Sequence, residues 1–177
     1  MTGEATRLRK SIRLPPDAYR EPGSSWLVTI TTVERRPFFG DDPSFAGATL
    51  AMLIDEAPRR GIELHLACLM PDHAHLLASV TTGDLVAAVA ALKSLATKVF
   101  YGFGGRGPLW HPSFHDQGIR GEQAFEEAAR YVLNNPVVAG SATTWEEYDL
   151  IDGTLVGALR SNGLVASTSD DAEPGSP

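Results

Sequence analysis

Residues 62–80 constrain this chain more than any other stretch. Ile62 to Met70 is an apolar, alternating run, Pro71 and Asp72 interrupt it, and apolar sequence resumes through Val80. Alternation with a period of two marks a strand, and a proline followed by aspartate marks a turn. The stretch therefore predicts two strands joined by a tight break.

The flanking sequence supplies partners for that pair. Trp26 to Val33, WLVTITTV, is rich in aromatic and β-branched residues and predicts a first strand. From Ser44 to Arg60, Phe45, Ala48, Leu50, Leu53 and Ile54 recur at helical spacing behind a Ser44 cap, and Gly61 ends the run. A second helix follows a cap within Thr81 to Asp84, carries Leu85, Val86, Val89, Leu92, Leu95, Ala96 and Val99 on one face, and stops at Gly102. The glycine-rich GFGGRG that follows lacks the strand-before, helix-after context of a phosphate-binding loop and reads as a connector. A short strand around Gln117 to Arg120 and a last helix from Gln123 to Asn134, ended by Pro136, complete the order β-α-β-β-α-β-α. That order predicts an α+β fold, an antiparallel sheet with helices on one face. The expected organisation is an N-terminal arm over residues 1–23, a domain over 24–140, an extension over 141–160 and a disordered tail over 161–177.

At 177 residues with 43% apolar content, the chain suits one domain with a normal core. No apolar run approaches the roughly 18 to 20 residues that span a bilayer, and no signal-peptide core follows the basic N-terminal residues. A cytoplasmic protein without a membrane partner is expected. Cys68, the single cysteine, excludes an internal disulfide and a cysteine-based zinc site. The net charge of −7 is unusual for a DNA-binding protein, but its distribution is uneven. Residues 141–177 hold seven acidic residues against Arg160 alone, which gives −6 and leaves −1 for the first 140. Arg7, Arg9, Lys10, Arg13, Arg20, Arg35 and Arg36 concentrate positive charge near the start, so charge neither proves nor excludes a nucleic-acid partner.

The chemistry centres on LMPDHAHLL. On a strand, His73 and His75 share one face while Ala74 points the other way, and two neutral imidazoles can hold a metal that keeps open positions. Simple hydrogen bonding at the sheet surface is the alternative for this pair. In RYVLNNP, Tyr131 and Asn135 are four residues apart and share a helical face, offering a hydroxyl that can attack phosphorus and an amide oxygen that can bind a metal. A core aromatic and a helix C-terminal cap are the corresponding alternatives. Lys93, Ser94 and Lys98 lie along the polar side of the second helix and can contact a DNA backbone, a solvated face being the equally simple reading. His115 and Arg120 are further DNA-contact candidates, as is His111, although Trp110 and Phe114 make that segment equally suited to packing.

Five ordered segments between about Trp26 and Gly140, ITTVERRPFF, CLMPDHAHLL, LKSLATK, LWHPSFHDQGIR and RYVLNNPVVAG, together resemble the REP-associated tyrosine transposases and related single-tyrosine HUH transposases of small insertion sequences. The resemblance implies a ferredoxin-like fold. It also implies that the His-hydrophobic-His motif binds the catalytic cation, that a tyrosine on a later helix is the nucleophile, and that an amide residue four positions on completes the metal site. His73, His75, Tyr131 and Asn135 occupy those motif positions. Members of the family often carry a basic residue in the segment matching PSFHD, where this chain has none.

The implied reaction is metal-dependent cleavage and strand transfer of single-stranded or hairpin DNA through a 5′-phosphotyrosine. Mg²⁺ or Mn²⁺ suits phosphate chemistry, while the histidines alone equally permit Zn²⁺ or Ni²⁺. Two other functions use the same residues: a domesticated, inactive module that binds single-stranded DNA hairpins, and a metal-dependent phosphoester hydrolase that activates water. The sequence leaves monomer and homodimer both open.

Overall fold

The structure is a computed structural model that describes residues 15–166. The first fourteen residues of the expected arm and the expected tail from 167 onward lie outside the described residues. Among the described residues, β1 (Ser25–Thr31), β2 (Ile62–Met70), β3 (His73–Val80), β4 (His115–Ile119) and β5 (Ile151–Asp152) form one antiparallel sheet in the order β4-β1-β3-β2-β5. The first four make the ferredoxin-like arrangement, and β5, from the C-terminal extension, adds a short edge against Ala67 and Cys68. The helices are α1 (Phe38–Asp41), α2 (Pro43–Glu56), α3 (Leu85–Gly102), α4 (Glu122–Val138) and α5 (Thr154–Ala166).

Strand alternation sorts the sheet into two apolar faces. Trp26, Val28 and Ile30 of β1 and Ala74, Leu76 and Ala78 of β3 join α2 and α3 in the larger core, with Phe39, Phe45, Phe100 and Trp110 clustered at one end. The opposite face presents Leu66, Cys68, Met70 and Leu77, which also need cover from water. Ala128, Ala129 and Val132 of α4 supply it, with Val156 of α5. Helices thus lie on both faces: α2 and α3 make the expected single layer, and α4 and α5 cover the other side.

Local differences from the sequence expectations have physical causes. Asp42, not Ser44, caps α2, its carboxylate accepting from Phe45 N at 2.9 Å while Pro43 takes the first helical position, where no N–H is needed. β4 begins two residues earlier than expected because His115 and Asp116 pair with Thr29 and Val28. Pro136 lies inside α4 rather than ending it. Its missing N–H affects only the last turn, which Ala139 N and Ser141 N close on Asn135 O and Pro136 O at 3.0 and 2.8 Å. Tyr19, within the expected arm, is buried, stacked on Trp26 at 4.7 Å and donating to Asp116 Oδ2 at 2.7 Å. α5 continues to Ala166, past the expected start of the tail. Contrary to the expectation that no apolar run approaches a bilayer-spanning length, α3, with 18 residues of mean hydropathy 1.4, is long and apolar enough to cross a membrane. Its Leu85, Val89, Leu92 and Ala96 are buried against the sheet instead.

A β-bulge between Leu64 and Leu66 shifts the phase of β2, so that Ile62 and Leu64 face one core while Leu66, Cys68 and Met70 face the other. The C-terminal extension crosses this bulge at Gly153, whose φ is +139° and where an added Cβ would meet the carbonyl oxygen of His65. Gly153→Ala should therefore destabilise the protein by at least about 1 kcal/mol. Gly157→Ala, in α5 with open space around it, should be neutral or stabilising by up to about 1 kcal/mol. Urea unfolding midpoints of the two variants will show whether the extension is held at the bulge.

Candidate active site

The Pro71–Asp72 turn is fixed from outside by the segment after β1. Thr32 donates to Asp72 O through both its backbone N–H and its hydroxyl, at 2.9 Å each, and Phe39 N donates to Pro71 O at 3.1 Å. This anchorage starts β3 with His73 opposite Thr31 and Met70, and places His75 opposite Thr29 and Cys68. Both imidazoles consequently lie on the α4 face of the sheet's central strand. His75 is only 3% exposed.

Each imidazole has an outer partner on Nδ1. His73 Nδ1 lies 2.6 Å from Asp72 Oδ1, and since a carboxylate only accepts, that nitrogen carries the proton. His75 Nδ1 lies 3.0 Å from Thr29 Oγ1. Both Nε2 atoms are thereby turned toward one another, 3.0 Å apart. Thr29 Oγ1 can donate or accept, so two tautomers of His75 fit: with its proton on Nε2 the pair makes an N–H···N hydrogen bond, and with its proton on Nδ1 two lone pairs face across the gap and can receive a cation. Two nitrogens each about 2.1 Å from one ion at a right angle stand about 3.0 Å apart, so the pair fits a shared metal. Partners of this kind on the non-ligating nitrogen orient histidine ligands in metal proteins.

Electrostatics favour a neutral His75. Burial pushes His75 down to about 4, the neighbouring His73 adds to the fall, and a hydrogen bond with Asn135 and the Asp72 carboxylate oppose it. His75 is thus neutral throughout the physiological range. Burial raises the Asp72 pKa, but the hydrogen bond and charge of His73, with those of Arg35, outweigh it and hold the carboxyl below its ordinary value. Cys68, beside His75 in the same row, is pushed up to about 12 by burial and stays a thiol in the metal-free protein. Among the described residues no three His, Cys, Asp or Glu side chains converge as a metal cluster, and the further polar group beside the pair is the Asn135 amide, which hydrogen-bonds with His75.

α4 carries that amide and the tyrosine over the histidines. The Tyr131 ring meets the His75 ring edge-on, centroids 5.3 Å apart, while the side chain remains 52% exposed. Asn135 Nδ2 donates to Tyr131 O at 2.7 Å, one turn back, and its amide oxygen is the side that accepts from a protonated His75. The four residues selected from sequence as the nucleophile and metal ligands are therefore neighbours, although more than fifty positions separate the histidines from the tyrosine. Tyr131 also lines an open cleft of about 390 Å³ between β4 and α4, together with Thr29 and His115.

The expected DNA contacts are more scattered. His115 pairs with Thr29, which pairs with His75, so it lies on the same face two strands away. Lys93, Ser94 and Lys98 sit on α3, across the sheet from the histidines. Lys93 Nζ donates to the carbonyls of His111, Pro112 and Ser113 at 2.8, 3.1 and 3.3 Å, clamping the loop before β4. Ser94 Oγ donates back to Ala90 O in its own helix. Arg120 is exposed just past the far end of β4. Three residues around the pair escaped the sequence reading: Thr29, Asp72, and Arg35, which joins Asp72 Oδ2 at 3.1 Å. Thr29 became visible only once β1 was paired with β3. Asp72 was visible as the residue before the motif, but a turn explained it.

The depressed His75 pKa has a stability consequence. In the unfolded chain the imidazole titrates near its ordinary 6.5, so the folded state binds fewer protons, and the contribution is fully present above pH 6.5 and lost as pH falls toward 4. Metal-free protein should lose on the order of 3 kcal/mol from this group across that window. Urea unfolding in the presence of a chelator should show a shallower acid loss for His75→Gln than for wild type.

No protein-family model matches the sequence, and no curated protein matches it. Among solved structures, the chain is similar to a REP-associated tyrosine transposase bound to a REP hairpin, with a TM-score of 0.63 and 16% identity over 89% of each chain. It is also similar to a putative transposase from Deinococcus radiodurans, with a TM-score of 0.47 and 26% identity over 62% of this chain and 88% of that one. At 16% identity the first likeness is one of fold. The chain has a REP-transposase-like fold, with a histidine pair, a tyrosine and an asparagine gathered on the α4 face of its sheet.

Proposed function

We propose that this protein is a metal-dependent, single-tyrosine enzyme that cleaves single-stranded DNA and transfers the strand through a 5′-phosphotyrosine. The observation that carries the reading is the opposed Nε2 pair of His73 and His75, 3.0 Å apart, in ring contact with a half-exposed Tyr131. A half-exposed tyrosine overhanging two imidazole nitrogens suits attack on a phosphate held there better than it suits packing.

His73, His75 and the Asn135 amide oxygen are the residues that would hold the cation. A bound Mg²⁺ or Mn²⁺ supplies charge withdrawal from a non-bridging phosphate oxygen. Tyr131 Oη attacks phosphorus, and its bond to phosphorus forms as the bond to the 3′ oxygen breaks. The phenolic proton leaves to solvent, to which the open cleft gives access, and the departing 3′ oxygen takes one up. Attack by the 3′ hydroxyl of another strand reverses these changes, restores the tyrosine and makes a new junction without a nucleotide cofactor. The hairpin bound by the transposase of similar fold supports hairpin DNA as substrate. A tyrosine on the wall of a cleft also suits a flexible strand better than a rigid duplex.

Tyr131→Phe tests the nucleophile, because it removes one oxygen and leaves the histidines intact. With labelled hairpin DNA and Mn²⁺, wild type should give a covalent adduct on a denaturing gel, and mass spectrometry should find the phosphotyrosine peptide at Tyr131. The variant should fold, bind Mn²⁺ normally and lose adduct formation by at least about a thousandfold. Cleavage undiminished in the variant would mean attack by water.

The Asp72 carboxylate tests the metal assignment separately. Asp72→Asn should weaken Mn²⁺ binding roughly 10- to 100-fold by calorimetry, since it removes the acceptor that orients His73. His73→Ala/His75→Ala should abolish it, and equal affinity in that double variant would move the cation site elsewhere.

A further inference from the structure

The chemistry above uses the cleft beside Tyr131 only as access for solvent and strand, and assigns no role to the side chains that line it. Leu27, Ile119 and Ala128 give it an apolar lining, while the exposed side chains of His115, Gln117 and Glu127 supply polar groups. Gln117 pairs with Leu27 across β4 and β1, so it belongs to the α4 face. Glu127 lies one turn before Tyr131 on α4 and accepts from Gln123 Nε2 at 3.2 Å through Oε1, leaving Oε2 for another donor. Among the described residues lining the cleft there is no Lys or Arg, and Glu127 adds negative charge, so a phosphate is disfavoured there. At about 390 Å³, the space is near the small end of the roughly 300–1,000 Å³ typical of ligand pockets, suited to a single planar group.

We infer that this cleft receives the unpaired nucleobase of the nucleotide next to the phosphate attacked by Tyr131, and that Gln117 and Glu127 select bases bearing an exocyclic amino group. The inference rests on the DNA-cleaving reading. A base offers an apolar face to Leu27 and Ala128, and unpaired bases stack on flat side chains such as the His115 imidazole. A carboxylate accepts from the cytosine amino group, and an amide matches a donor and acceptor edge. Thymine, with a carbonyl where cytosine has its amino group, would set an oxygen against Glu127.

The test uses full-length Tyr131→Phe protein, so that binding is read without cleavage. A short oligodeoxycytidylate and an oligodeoxythymidylate of the same length, fluorescently labelled in mildly alkaline buffer, are compared by anisotropy. Cytidylate should bind roughly tenfold more tightly. Adding Gln117→Ala and Glu127→Ala, both at exposed positions, should erase that preference by lowering cytidylate affinity and relieving the repulsion of thymidylate, and Glu127→Gln alone should reduce it. Equal binding of the two strands, no binding of either, or a preference that survives the added substitutions would overturn the inference. Failure of the catalytic reading is distinguishable, because it appears in wild type as absence of the Tyr131 adduct whatever the base preference.

Discussion

Two imidazole nitrogens facing each other across 3.0 Å at the middle of a sheet set the terms for the rest of this molecule. The arrangement requires β3 to be a central strand, because one neighbour must supply Thr29 to His75 and the turn to the other must supply Asp72 to His73. It also requires one register. A slip of a single residue would turn both histidines into the core filled by α2 and α3, and bring Ala74 and Leu76 to the site face. The double anchorage of the Pro71–Asp72 turn by Thr32 and Phe39 opposes that slip.

The covering helix solves two problems with one periodicity. Ala128, Ala129 and Val132 face the sheet, and the small side chains of the two alanines allow α4 a close approach to Leu66, Cys68 and Leu77. Tyr131 and Asn135 lie one turn apart beside that buried stripe, where one ring meets His75 and one amide hydrogen-bonds within the helix. The C-terminal extension holds the neighbouring edge: Tyr148 donates to Leu69 O at 2.7 Å, Leu69 N donates to Leu150 O at 2.9 Å, and β5 pairs with β2. Residues 141–160 are therefore part of the sheet's support rather than an appendage.

Much of this was legible in the sequence, for reasons that differ by element. The β2–β3 pair could be read because two apolar runs flank a proline, and α3 because seven apolar residues keep helical spacing before Gly102. His73 with His75 and Tyr131 with Asn135 could be selected because each spacing matches the period of its own element. What stayed hidden depended on pairing across the chain. The bulge at His65 changes the phase of β2 without changing its composition, and the polar sequence of β4 becomes a strand only where β1 offers it an edge. Thr29 was one of several strand threonines until register set it opposite His75. Pro136 misled because a proline this close to a helix end costs little, and its ring is buried.

Backbone strain points to the same corner of the fold. Glu34 and Arg35, successive residues that are not glycine, have φ of 53° and 52°, a region that costs L-residues on the order of 1–3 kcal/mol each. Thr32 before them and Arg36 after them are tied together by the Thr32 hydroxyl, whose single proton is shared between Arg36 O at 2.8 Å and Asp72 O at 2.9 Å. The conformation brings Arg35 onto Asp72, the carboxylate that orients His73. An exposed loop with no task would relax, whereas this one spends stability within three hydrogen bonds of His75, which is buried and itself costly to desolvate. Two separate local penalties, offset by the same pair of apolar cores and converging on one imidazole pair, are what a fold built around that pair would contain.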